Sequence, residues 1–215
     1  MRYRITFSKN DAMRFTGHLD LFSTLERTMR RANLPLVYSQ GFTPRPKINL
    51  ASALPLGYTS ECEQAEFWLK EEIPSKEVAA AIIKASPPGI TLHQTETPNS
   101  KAPKLQNALR SASFQATMLT PQSELTKRVQ KLLDAPTLMR EKIRKGKKKV
   151  YDLRDLILEI DLLSPDEENR ERLEMHLKAE PGATGRPDEV LNELEIDPLA
   201  CLIHRTGLHF DLGTT

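Results

Sequence analysis

The sequence predicts an α+β fold. Segments with a two-residue hydrophobic period alternate with segments of helical period. The order β-α-β-β-α-β occurs twice along 215 residues. Proline and glycine fall mostly between the periodic segments, where they act as turns and stops.

In the first half, Tyr3, Ile5 and Phe7 alternate with Arg4, Thr6 and Ser8, the mark of a half-buried strand. After Gly17 the period changes. Leu21, Leu25, Met29 and Ala32 recur at helical spacing, with Thr16 or Asp20 as capping candidates. Asn33 and Pro35 end that helix. Residues 40–47 carry one Gly and two Pro and read as a loop. Residues 48–51 alternate as a strand, and Pro55-Leu56-Gly57 is a turn. Residues 63–69 form a strand with Ala65, Phe67 and Leu69 inward and Glu66 and Trp68 outward. Ser75 reads as the N-cap of a helix bearing Val78, Ala79, Ile82 and Ile83, which Pro87-Pro88-Gly89 stops. Residues 90–95 make a short strand.

The second half repeats the pattern without repeating the residues. Phe114, Ala116 and Met118 alternate, and Leu125, Val129, Leu132 and Leu133 recur at helical spacing within 121–133. Residues 151–163 read as one strand, 173–177 as another, 187–194 as a short helix, and 199–210 as a closing strand broken near Gly207. Such units predict two successive ferredoxin-like βαββαβ modules with antiparallel sheets. The first spans 1–98, a linker covers 99–110, and the second spans 111–215. One sheet shared by both halves fits the pattern equally well.

Composition excludes several classes. The chain has 31 Lys+Arg against 29 Asp+Glu, a net charge of +2, and 39% hydrophobic residues. No apolar run reaches the ~18 residues of a membrane span, and the first residues lack a signal-peptide apolar stretch. Cys62 and Cys201 are far apart, so neither a disulfide framework nor a CxxC site is expected. The five histidines show no metal-ligand spacing, and GxGxxG, P-loop and GxSxG motifs are absent. A cytoplasmic protein without membrane, metal or cofactor is the expectation. The small net charge hides strong blocks. Residues 1–50 carry nine Lys/Arg and three Asp/Glu, 101–150 carry thirteen and three, and 151–215 carry six and sixteen.

Three clusters can carry chemistry. In the first, Arg14-Phe15-Thr16-Gly17-His18-Leu19-Asp20 opens the first helix, and Arg27, Arg30 and Arg31 form a stripe along it. Tyr38, Phe42, Arg45 and Lys47 follow in one loop, interleaving aromatic and cationic groups as a stacking-plus-phosphate site requires. Phe42 can equally pin that loop to the core. In the second, Arg140, Lys142, Arg144, Lys145, Lys147, Lys148 and Lys149 surround Gly146. They read as a nucleic-acid backbone contact or as a solvated hairpin tip. In the third, Asp152, Arg154, the 182–189 loop with Arg186, and Arg205 offer an anion cradle or a set of salt bridges. His18, Asp20 and Asp152 are the acid/base candidates. The anion-binding candidates are Arg14, Arg27, Arg30, Arg31, Tyr38, Phe42, Arg45, Lys47, Lys145, Lys147, Lys148, Lys149, Arg154, Arg186 and Arg205.

Residues 14–20, 26–32, 34–47 and 54–57, with Tyr151-Asp152-Leu153-Arg154, 185–191 and Arg205-Thr206-Gly207-Leu208, resemble a bacterial family. It is the radical SAM-linked protein family, or DUF2344 domain. Thr43 stands where that family usually shows Asn. The resemblance implies a partner, a B12-binding radical SAM protein. The chain lacks a CxxxCxxC cluster motif, so it is expected to be a stand-alone companion. The resemblance supplies no catalytic residue.

Three functions are therefore expected to compete. One is a non-catalytic companion that binds and presents an RNA or ribonucleoprotein, with Arg27, Arg31, Arg45, Lys47 and 145–149 on one basic surface. Another is an RNA- or nucleotide-acting enzyme in which His18, Asp20, Arg45, Asp152 and Arg186 converge. The third is a protein–protein adaptor, marked by an exposed apolar patch around Phe67 or Trp68.

Overall fold

The computed structural model describes residues 1–144 and 146–212. It is a mixed α+β protein that divides into two compact units. One comprises residues 1–109 with 207–212, and the other the described residues of 110–206.

The first unit runs β1 (Arg2–Lys9), α1 (His18–Arg31), β2 (Ile48–Leu50), β3 (Thr59–Trp68), α2 (Ser75–Ala85), β4 (Ile90–Glu96) and α3 (Leu105–Ala108). Its strands lie in the order β4-β1-β3-β2, and each of these pairs is antiparallel. The two-residue period sets one face. Tyr3 and Ile5 of β1 lie opposite Phe67 and Ala65 of β3. The Tyr3 and Phe67 rings stack with centroids 5.6 Å apart. Leu21, Leu25 and Met29 of α1 and Val78 and Ile82 of α2 join those residues in one core. Each such side chain contributes roughly 1.5–3 kcal/mol on burial.

The other parity of β1 and β3 carries charge inside. Glu66 is 0% exposed. Its Oε1 lies 3.1 Å from Arg4 Nη2 and 3.8 Å from Arg2 Nη1, and its Oε2 accepts the Leu105 amide at 3.4 Å. Arg2 also donates to the carbonyls of Asn99 and Ala102. At the end of β1, Lys9, which shares the parity of Tyr3, Ile5 and Phe7, is also fully buried and donates from Nζ to the Tyr58 carbonyl at 3.0 Å. Arg2, Arg4 and Lys9 therefore serve the interior, and the basic character of residues 1–50 is only partly a surface property.

The second unit runs β5 (Leu109–Met118), α4 (Leu125–Asp134), β6 (Met139–Arg144), β7 (Lys147–Asp152), β8 (Ile157–Leu163), β9 (Arg172–Glu180), β10 (Ala183–Thr184), α5 (Pro187–Glu193) and β11 (Cys201–Phe210). Its strands follow the order β8-β9-β5-β11, with β10 on the end of β9. Ala112, Phe114 and Ala116 face Leu177, Met175 and Leu173 in register. Leu125, Val129 and Leu132 of α4 and Val190 and Leu191 of α5 add buried apolar surface. The hairpin β6–β7 forms a separate two-stranded sheet.

Several local expectations change. The 151–163 strand is divided: β7 ends at Asp152, a 3-10 turn spans Arg154–Leu156, and β8 begins at Ile157. Asp152 Oδ1 causes the break by accepting the amides of Leu138 and Arg154 at 2.7 and 2.9 Å. Ser75 is not a cap. Pro74 holds that position, and Ser75 Oγ lies 3.2 Å from Thr97 Oγ1. Gly17, not Thr16 or Asp20, is the N-cap residue of α1, without a side-chain cap bond. The 99–110 stretch contains α3 and the first residues of β5. The second unit exceeds four strands by β10 and the β6–β7 hairpin.

Candidate functional site

On the first unit, α1 buries its apolar stripe and leaves Arg27, Arg30 and Arg31 exposed at its C-terminal end. These arginines line a shallow depression of about 480 Å³ with Met13, Thr24 and Pro87. Arg31 and Pro87 also line its neighbour of about 660 Å³, to which α2 contributes Lys84. Arg30 pairs with Glu26 at 2.8 Å, and its guanidinium lies 5.9 Å from the Tyr38 ring centre. That contact joins the arginine stripe to the base of the 38–46 loop.

The loop is closed by backbone. Tyr38 and Pro46 form an antiparallel bridge, and the Ser39 amide donates to the Arg45 carbonyl at 2.8 Å. At its tip Phe42 is fully exposed and packs into no core. Lys47 caps the Trp68 ring at 4.4 Å, and Arg45 is exposed. Cations and free aromatic surface thus alternate from Arg30 to Lys47.

At the start of α1, Arg14 packs its guanidinium 5.0 Å from the Phe15 ring centre. Arg14 Nε and His18 Nδ1 are buried atoms without a hydrogen-bond partner among the described residues. Asp20 is exposed, with Oδ2 3.6 Å from where a Cβ on Gly17 would sit. Phe15, Leu19 and Leu56 are 70, 78 and 63% exposed. The Gly57 amide donates to the Arg14 carbonyl at 2.7 Å, so the Leu56 turn adjoins the Phe15 segment. Sequence reading did not single out this apolar group, because Phe15 and Leu19 lie within a segment read for Arg14, His18 and Asp20, and Leu56 within a turn. The expected markers behave differently: Phe67 is buried and Trp68 is half-buried beneath Lys47.

The second unit holds a pocket of about 520 Å³ between the β6–β7 hairpin, the 3-10 turn after it and the β9–β10 turn. Lys142, Lys149, Tyr151, Asp155, Lys178 and Glu189 all reach it. The Glu189 carboxylate lies beside Tyr151. Burial first, then that carboxylate, push the Tyr151 phenol up to about 12 against the opposing charges of Arg140 and Arg186. It stays protonated at neutral pH.

The remaining candidates are spread among structural tasks. Asp152 caps the turn described above, and Arg154 donates to the Ile157 carbonyl at 3.1 Å. Arg186 forms a two-pronged contact with Asp188 at 2.9 and 2.6 Å. Arg205 is 2% exposed, with its guanidinium 5.2 Å from the Phe114 ring centre, and offers no open surface. Lys148 pairs with Glu141 at 2.6 Å on β6. Lys147 is placed by its backbone in β7, opposite Arg144. Lys145 lies outside the described residues. His18, Asp20 and Arg45 belong to the first unit, and Asp152 and Arg186 to the second. Among the described residues no group of three or more His, Cys, Asp or Glu gathers as a metal site. Among them, too, no helix is long and apolar enough to cross a membrane.

Fold and sites together define a two-unit α+β protein with cation-rich surfaces and a charged pocket beside a protonated tyrosine. The sequence pattern described as "Uncharacterized protein conserved in bacteria (DUF2344)" matches residues 2–187, and the chain belongs to that family. No curated protein matches the sequence. Among solved structures, a chain in "Crystal Structure of a Cbf5-Nop10-Gar1 Complex" is similar in fold, with a TM-score of 0.50 at 8% identity. The match covers 96% of this chain and 48% of that one, so this chain spans about half the length of that relative.

Proposed function

We propose that the protein is a non-catalytic companion of a B12-binding radical SAM enzyme and binds and presents RNA, free or within a ribonucleoprotein. The observation that carries the RNA reading is the loop tip. A phenylalanine wholly exposed to water, flanked by Arg45, Lys47 and the Arg30–Tyr38 contact, has no packing role to explain it. Base stacking on such a ring with phosphate contacts beside it is the usual chemistry of single-stranded RNA binding. The radical SAM partner rests on the family resemblance alone. The strand orders β4-β1-β3-β2 and β11-β5-β9-β8, each with two helices in the connections, support reading both units as ferredoxin-like modules.

The test is fluorescence anisotropy of labelled single-stranded RNA across a salt series. Binding is expected to fall as salt rises. Phe42→Ala is expected to cost about 1–3 kcal/mol, the worth of one stacked base. It should leave the salt slope nearly unchanged, whereas Arg45→Ala should reduce that slope by about one unit. No binding at low salt would sink the reading.

A second reading is favoured by Phe15, Leu19 and Leu56. Exposed apolar side chains beside one another fit an adaptor surface for the radical SAM enzyme itself. In that case Leu19→Asp abolishes co-purification with the enzyme while RNA binding persists.

A further inference from the structure

The lysines of the β6–β7 hairpin are adjacent in sequence but divided in space. Cross-strand partners share a face, and successive residues alternate between faces. Lys142 lies opposite Lys149, and Arg140 opposite Tyr151. Lys142, Lys149 and Tyr151 line the second-unit pocket, whereas Lys148 is engaged with Glu141. The base of the hairpin is anchored to α5 by an Arg140–Glu193 ion pair. The opposite wall is equally fixed. A Cβ on Gly185 would meet the Leu156 carbonyl oxygen at 2.9 Å and Leu177 Cβ at 3.1 Å, so the chain there packs at backbone distance.

Within this frame the charges are sorted. Lys142, Lys149 and Lys178 form no ion pair among the described residues. Asp152 is committed to backbone amides, and Glu189 lines the pocket beside Tyr151. Asp155 is an exposed carboxylate at the rim, without an ion pair among the described residues. Three unpaired ammonium groups around one concavity repel one another unless an anion joins them. A carboxylate supplies one negative charge, a phosphate monoester close to two. The carboxylates across the pocket can accept hydrogen bonds from hydroxyl or amino donors on the same ligand. A volume of about 520 Å³ is within the ordinary range for small-molecule sites.

We infer that this pocket binds a phosphate monoester of a hydroxyl-bearing molecule of mononucleotide size. Lys142, Lys149 and Lys178 take the phosphate, and Asp155 and Glu189 take the donors. The ligand is either a free nucleotide or the phosphorylated end of an RNA chain. The site is separate from the Phe42 loop and stands whether or not that loop binds RNA.

Isothermal titration of the full chain tests this with AMP, ribose 5-phosphate, inorganic phosphate and adenosine. Saturable binding of AMP and ribose 5-phosphate is expected, with adenosine inert. Lys149→Gln and Lys178→Gln should each weaken AMP binding by about tenfold, the loss of one charge-assisted contact. Lys148→Gln should change it by less than about twofold, because that side chain is paired with Glu141. A 5′-phosphorylated oligoribonucleotide that displaces AMP, when its 5′-hydroxyl counterpart does not, assigns the site to a chain end. Failure of both oligonucleotides to displace AMP assigns it to a free nucleotide. AMP heats no larger than those of adenosine, or equal losses in the Lys148 and Lys149 variants, would overturn the inference. Phe42→Ala should leave AMP binding intact.

Discussion

Glu66 ties together three positions that the sequence separates widely: Arg2, Arg4 and the Leu105 amide. The periodic pattern marked Glu66 as outward because it alternates with Ala65 and Phe67. It is outward only from the apolar face, since the opposite face of the sheet is closed as well. Removing one member of a buried ionic group strands the others. Glu66→Ala is expected to lower stability by about 3–5 kcal/mol, read as a shift in the urea midpoint with an unchanged slope. Tyr151 makes a prediction of the opposite kind. In the unfolded chain its phenol titrates at the ordinary value of 10.0, and in the folded protein at about 12, from burial first and then Glu189. Its contribution is complete below pH 10 and is lost as pH rises towards 12. Solvent screening at this partly exposed site cuts the ideal value of roughly 1.4 kcal/mol per unit to about 1 kcal/mol in all. Tyr151→Phe should therefore flatten the alkaline limb of the stability profile between pH 10 and 12. The Cys201 thiol, pushed from 9.0 up to about 11 by burial and the nearby Asp197 charge, adds a slope over pH 9–11 in both proteins.

At the scale of elements, α1 and β3 were legible because the apolar residues of each fall on one face, although β3 is buried on both. Leu21, Leu25 and Met29 fall at helical spacing, and Ala65 and Phe67 at strand spacing. The break between β7 and β8 was not legible. Leu153 and Leu156 continue an alternating apolar run, and nothing in that run announces that Asp152 will bond two backbone amides instead of solvent. The turn before β4 was visible as Pro87-Pro88-Gly89, but its packing was not. Gly89 has φ +82°, and a Cβ there would meet Met13 Cγ at 2.6 Å and the Asn10 carbonyl oxygen at 2.7 Å. Gly89→Ala is expected to destabilise the first unit by about 2–4 kcal/mol, adding the left-handed penalty to the steric one. Thermal unfolding followed by circular dichroism checks it.

For the whole molecule, the charge blocks gave a direction and overstated its extent. Of the cations in 1–50, Arg4 and Lys9 are buried and Arg2 is partly so, and farther on Arg205 is buried against Phe114. Arg27, Arg30, Arg31, Arg45 and Lys47 of the 1–50 block remain outward, as do Lys142, Lys148 and Lys149 of the hairpin. The Phe42 loop could be nominated from sequence, but stacking and core-pinning roles use the same residues. Only the three-dimensional exposure of the ring separates them. The Tyr151 pocket was half visible. Its 182–189 loop and Lys149 were both singled out, but the pairing of Lys142 with Lys149 depends on a register that composition does not encode.

The path of the chain through β11 has a consequence for biosynthesis. Residues 207–212 belong with residues 1–109, and the Asp211 amide donates to the Ala108 carbonyl at 2.8 Å. A ribosome therefore releases nearly all of the first unit long before the piece that completes it. Contacts so remote along the chain form slowly, and during that wait the second unit is free to fold as an insertion. A nascent chain stalled once residues 110–206 have cleared the ribosome, and before the stretch from Gly207 has, should hold a native-like second unit and a first unit that is more easily cut by protease.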